Sequence, residues 1–152
     1  MDEGLSTNQR EEWRTKEMSA EIIRIEQNQT LSFGNHKLEE KAKAEDFSYQ
    51  GDLLKVKTYK TMTKLEKNGM FLYESVPGTS VKHFRETEEG VTFQVEADED
   101  AQIILGLAEQ TAYEVIVQGE SMGIMETHLG GKLNVNVEPS EGKAVTVEIH
   151  RA

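Results

Sequence analysis

Apolar and polar residues alternate with a period of two along most of the chain from Glu21 onward, which is the signature of half-buried β-strands rather than helices. The run Val91 to Ala97 shows it best, with Val91, Phe93, Val95 and Ala97 on one face and Thr92, Gln94 and Glu96 on the other. Lys132–Val137 turns Leu133, Val135 and Val137 inward, the C-terminus repeats the pattern with Val145, Val147 and Ile149, and Tyr113, Val115 and Val117 form another run. Shorter alternating stretches lie at Glu21–Glu26, Thr30–Gly34, Phe47–Tyr49, Leu53–Tyr59, Thr61–Lys67, Met70–Val76, Ser80–Arg85, Gln102–Leu107 and Met122–Thr127. Turn chemistry separates them at Asn68-Gly69, Pro77-Gly78, Glu89-Gly90, Gly130-Gly131 and Glu141-Gly142. Asn68-Gly69 between two alternating runs is the strongest hairpin signal. About a dozen short strands at this spacing predict an all-β antiparallel sandwich or a partly closed barrel.

Three segments stand apart from that pattern. Residues 1–18 hold only Met1, Leu5, Trp13 and Met18 as large apolar side chains, at no useful period, and read as a flexible N-terminal extension ahead of a domain at 19–152. His36–Asp46, rich in Lys, Glu and Ala with Leu38 as its one large apolar residue, reads equally as a short helix or a charged hairpin arm. A sub-boundary near 97–101 would divide the domain, so that Glu21–Ala97 and Asp98–Ala152 form either one core or two. The order Leu105, a polar bend, then Thr111-Ala112-Tyr113 predicts a sandwich corner in which the Tyr113 hydroxyl bonds back to the backbone of the bend.

The composition narrows the functional classes. The 152 residues carry 17 Lys+Arg against 28 Asp+Glu, a formal charge of −11, which opposes nucleic acid because phosphate contacts need a basic face. No run approaches the roughly 18 apolar residues of a membrane helix, and Met1–Arg10 has no apolar signal core. With no cysteine there is no disulfide framework, thiol nucleophile or thiolate metal site. The chain therefore reads as a cytoplasmic protein with no cofactor, no nucleic acid and no membrane partner.

Catalytic patterns are missing from the sequence. His36, His83, His128 and His150 stand at no i,i+2 or i,i+4 spacing, and there is no Gly-x-Ser-x-Gly elbow, P-loop or dinucleotide fingerprint. Charge patterning says more. Lys55, Lys57, Lys60, Lys64 and Lys67 fall within thirteen residues that contain one acid, Glu66, whereas Glu86–Asp100 carries seven acids and no Lys or Arg. Alternation places Lys55, Lys57 and Tyr59 on one outer face and Lys64 on the next, a candidate partner- or anion-binding surface with Tyr59 as an aromatic platform. The competing reading is a solvated face neutralised by the acidic block, within the chain or between subunits. His83, in Val81-Lys82-His83-Phe84-Arg85 after the Pro77-Gly78 turn, completes the candidate set.

Two stretches carry resemblances. Leu31-Ser32-Phe33-Gly34, Gly51 to Thr58, Thr63 to Phe71, Tyr73 to Thr79 and Gly130-Gly131-Lys132-Leu133 make Met18–Ala152 similar to a family of small proteins from gut-associated Firmicutes, often labelled endosialidase. The sialidase activity that label names does not carry over. The chain has no Ser-x-Asp-x-Gly-x-x-Trp box, and only Arg24, Arg85 and Arg151 follow Glu21. Residues 101–152 resemble fibronectin-III-like modules of polysaccharide-degrading enzymes, through Leu-x-x-x-Thr-x-Tyr-x-Val-x-Val, Gly-Lys-Leu-x-Val-x-Val and a final Val-x-Val-x-Ile run. The expectation is a non-catalytic interaction or self-assembly protein. The alternative is a carbohydrate-binding or carbohydrate-processing module, for which Tyr49, Tyr59, Phe71 and Tyr73 supply candidate stacking rings.

Overall fold

The alternation read from the sequence becomes thirteen strands in the computed structural model, which describes residues 22–140 and 143–152. The first eight are β1 (Ile23–Ile25), β2 (Leu31–Phe33), β3 (Ala42–Tyr49), β4 (Asp52–Thr58), β5 (Thr63–Lys67), β6 (Met70–Val76), β7 (Ser80–Thr87) and β8 (Gly90–Glu96). They are followed by β9 (Ala101–Gly106), β10 (Ala112–Val117), β11 (Glu120–Glu126), β12 (Lys132–Val137) and β13 (Val145–Arg151). Two antiparallel sheets result: sheet A in the order β1-β2-β7-β8-β13-β10-β11, and sheet B in the order β12-β9-β6-β5-β4-β3. The architecture is an open two-layer sandwich, and neither sheet closes into a barrel. The 1–18 extension, with Trp13, lies outside the described residues.

The inward faces are those the alternation gives. Val91, Phe93 and Val95 of β8, Val145, Val147 and Ile149 of β13, and Leu133, Val135 and Val137 of β12 are all buried. The predicted hairpin is present: Asn68 and Gly69 have φ of 52° and 79°, the double positive φ of the tight turn that fits strand twist. Of the two readings of His36–Asp46, the hairpin arm is the one present, β3 pairing antiparallel with β4. Ala42–Tyr49 is a strand, because Ala42 and Ala44 alternate inward with Lys43 and Glu45 outward, and small residues suffice on an edge strand. Both halves of the chain feed one buried cluster, and the pairs β6–β9 and β8–β13 cross the 97–101 region.

Two features hold the sheets in register. Tyr73 of sheet B packs edge-on against Phe33 and Phe93 of sheet A, with centroids 5.1 and 5.8 Å apart, and Phe84 meets Phe33 at 5.5 Å. Beside them runs a chain of fully buried hydroxyls. The Thr79 hydroxyl is 2.7 Å from that of Tyr73 and 2.8 Å from that of Ser75. Thr63 donates to the Thr79 carbonyl at 2.8 Å and accepts its amide at 3.1 Å, while Thr58 lies 2.7 Å from Thr63. Burial pushes the Tyr73 hydroxyl well above the ordinary phenol range, so it remains a neutral donor and acceptor.

The corner is built as the sequence implies. The Ala108 amide donates to the Tyr113 hydroxyl at 3.1 Å, and Thr127 donates to the Ala108 carbonyl at 2.6 Å. Gly131 closes it: its φ is +68°, and a Cβ there would sit 2.0 Å from the Leu107 carbonyl oxygen.

Candidate functional site

The sequence-nominated residues divide between places. Lys55, Lys57 and Lys64 share the outer face of sheet B, because Leu54, Val56, Thr63 and Leu65 take the inward positions. Pairing sets Lys43 opposite Lys57, Lys57 opposite Lys64 and Lys64 opposite Glu74, so three ammonium groups stand in a row across three strands. Like charges placed directly opposite repel. Carboxylates interleave with the row: Glu45 meets Lys43 at 2.7 Å and Lys55 at 3.8 Å, and Glu66 meets Lys64 at 3.5 Å. Lys57 forms no ion pair with a described residue.

Within the chain the acidic block reaches Lys67 of the lysine run but not Lys55, Lys57 or Lys64. Glu86 pairs with Lys67 at 2.6 Å, Glu96 with Lys82 at 3.0 Å and Asp98 with Lys37 at 2.6 Å. Hydrogen bonding from Lys37, helped by the charge of His36, holds the Asp98 carboxyl below its usual range, and Lys43 does the same for Glu45. A carboxylate whose folded pKa is depressed stabilises the fold above its unfolded pKa and loses that contribution as pH falls through the folded value. Carbon-detected NMR titration should therefore place Asp98 below 3.8 and Glu45 below 4.5, and Lys37→Ala should return Asp98 toward 3.8.

Tyr59 stands just past the end of β4 rather than on its face, with the Lys41 ammonium 5.7 Å from its ring centroid. The other aromatics expected to stack a ligand are also engaged. Tyr73 is fully buried, Tyr49 donates to the Gln29 carbonyl at 2.6 Å, and Lys132 lies 5.2 Å over Phe71.

His83 lies on sheet A, apart from the lysines. It sits in a bulge of β7 with φ +56°, and its Nδ1 is 3.0 Å from the Thr30 hydroxyl. That hydroxyl already donates to Asn28 Oδ1 at 2.5 Å, and the Asn28 side-chain nitrogen lies 3.5 Å from the same Nδ1. Glu26, lowered chiefly by a hydrogen bond from Ser32 and further by Arg24 and His83, completes the polar group around this bulge. Among the described residues no cluster of three His, Cys, Asp or Glu could hold a metal ion, and no helix is long and apolar enough to cross a membrane.

The largest departure from a sealed sandwich is a flank that charge reading missed. β11 is the seventh strand of sheet A, exposed along nearly its whole length, with Met122 51 % and Ile124 67 % exposed. Residues 127–131 carry the chain directly from β11 to β12, the terminal strand of sheet B, so among the described residues both sheets end in an unpaired edge on this flank. The opposite flank is protected: β1 has three residues, and β3 is broken between Ala44 and Phe47 by a bulge with Asp46 at φ +55°. The sequence signal was available, since Met122, Ile124 and Leu129 fall among glutamates with no inward partner pattern.

No family model, curated protein or solved structure matches this chain.

Proposed function

We propose that this is a cytoplasmic, non-catalytic interaction protein that assembles with a second copy of itself through the β11/β12 flank. The observation that carries the reading is the pair of open edges. An unpaired edge offers a row of free backbone donors and acceptors, and natural sandwiches normally blunt it. Here β11 and β12 run seven and six residues; β12 pairs β9 through six consecutive positions without a bulge, and β11, bulged between Ser121 and Ile124 with Gly123 at φ +97°, keeps Ile124–Glu126 in regular register. A lone peptide strand would satisfy one edge and leave the other. Two edges a sheet-to-sheet spacing of about 10 Å apart are matched by another two-layer edge, which a second copy supplies.

Salt separates this mode from the lysine face. Backbone pairing and contact of Met122 with Ile124 do not depend on opposite charges, and added salt screens the mutual repulsion of two chains of charge −11. Light scattering should show a dimer that persists or tightens from low to high salt. Ile124→Lys, at a position exposed in the single chain, should give a monomer with an unchanged circular-dichroism spectrum. A wild-type monomer, an Ile124→Lys variant that still dimerises, or a dimer dispersed by salt would overturn the reading, the last in favour of the lysine face.

A further inference from the structure

At one end of the sandwich the sheets part around a cleft of about 340 Å3, between the β5–β6 hairpin, the β7–β8 hairpin, the β9–β10 bend and the end of β13. Its apolar lining includes Leu72, Leu107 and Ala108, and Lys67, Asn68, Glu86, Thr87 and Glu88 also line it. Two further polar side chains at the cleft are placed by the strand pattern. Tyr113 is inward on β10 and only 2 % exposed. Arg151 continues the inward parity of Val145, Val147 and Ile149 on β13, and is the direct cross-strand partner of Tyr113. Cross-strand partners share a face, so a phenol and a guanidinium stand side by side at the mouth of the core.

Both groups have donors to spare. The Tyr113 oxygen accepts the Ala108 amide at 3.1 Å, and no described residue accepts its own proton. Arg151 Nε donates to the Glu88 carbonyl at 2.8 Å, which fixes the guanidinium plane, and its two terminal nitrogens have no partner among the described residues. The other cation at this mouth, Lys67, is paired with Glu86 at 2.6 Å. A buried hydroxyl proton left without an acceptor is costly, and a fixed arginine fork matches a planar pair of oxygens.

We propose that this cleft binds a small carboxylate with an apolar body, the carboxylate accepting from Tyr113 and the Arg151 fork and the apolar part lying on Leu72, Leu107 and Ala108. Gly130 of the β11–β12 link borders the site, but Met122, Ile124 and Lys132 do not, so ligand binding and self-assembly are read by different measurements.

Benzoate and 3-methylbutanoate, each titrated at millimolar concentrations into 15N-labelled full-length protein, are the probes, with benzamide as the neutral match for benzoate. Saturable shifts centred on the amides of Leu72, Leu107, Ala108 and Tyr113 are expected. Benzamide should bind about tenfold more weakly, and Arg151→Gln should weaken benzoate by about the same factor, since each removes a charge-assisted contact. Arg151→Gln keeps the fold because the side chain is exposed, and its spectrum away from the cleft verifies that. Absence of saturable binding, shifts centred elsewhere, or equal affinity for benzamide and benzoate would overturn the proposal.

Discussion

Thr79→Val is expected to destabilise the protein by about 4 kcal/mol, the summed cost of stranding two buried hydroxyls. The Tyr73 and Ser75 hydroxyls both use the Thr79 oxygen, at 2.7 and 2.8 Å, and all three side chains are fully buried. Valine keeps the shape and removes the shared partner. Thr79→Ser keeps the hydroxyl and deletes one methyl, so its cost should be about 1 kcal/mol. Urea unfolding reads the difference as a midpoint shift at constant slope. Equal effects of the two substitutions would mean that the methyl group, and not the hydroxyl, is what the core requires.

Phe93→Ala is expected to cost about 3–5 kcal/mol, because the ring leaves a cavity that a two-sheet core cannot close. Phe93 is 2 % exposed and meets Tyr73 across the sheets at 5.8 Å and Phe84 within its own sheet at 5.7 Å. Phe93→Leu, which refills most of the volume, should cost less than about 1.5 kcal/mol. Calorimetry of both variants tests whether the aromatic cluster joins the two layers. A Phe93→Ala protein as stable as wild type would show that it does not.

The strands were legible wherever one face is apolar. β6 and β12 fall on the bounds that alternation gives, and the Tyr113 corner is visible as a spacing of Leu, bend and Tyr. β3 was half legible: Phe47–Tyr49 alternates, but the inward residues before it are Ala42 and Ala44, whose weak apolar signal among Lys and Glu left helix and hairpin arm undecided. The Thr63–Thr79 network could not be read at all. Threonine at an inward strand position looks like ordinary β propensity, and its partner lies sixteen residues away in a loop. The lysines were read correctly as outward-facing, and Glu66 of β5 was visible among them, but Glu45 comes from β3, whose register the sequence does not carry. Tyr59 left the proposed face because β4 ends a residue early, and His83 stands apart from it because β7 belongs to the other sheet. Arg151 was within reach, since it simply extends the parity of Val145, Val147 and Ile149.

Backbone amide exchange along the two edges tests the account most directly. In a dimer built on the flank, amides of Met122–Glu126 and Asn134–Val137 should become protected as protein concentration rises, while those of Phe93 and Val147 in the core stay protected throughout. Edge amides that exchange at the same rate at every concentration would contradict assembly through β11 and β12.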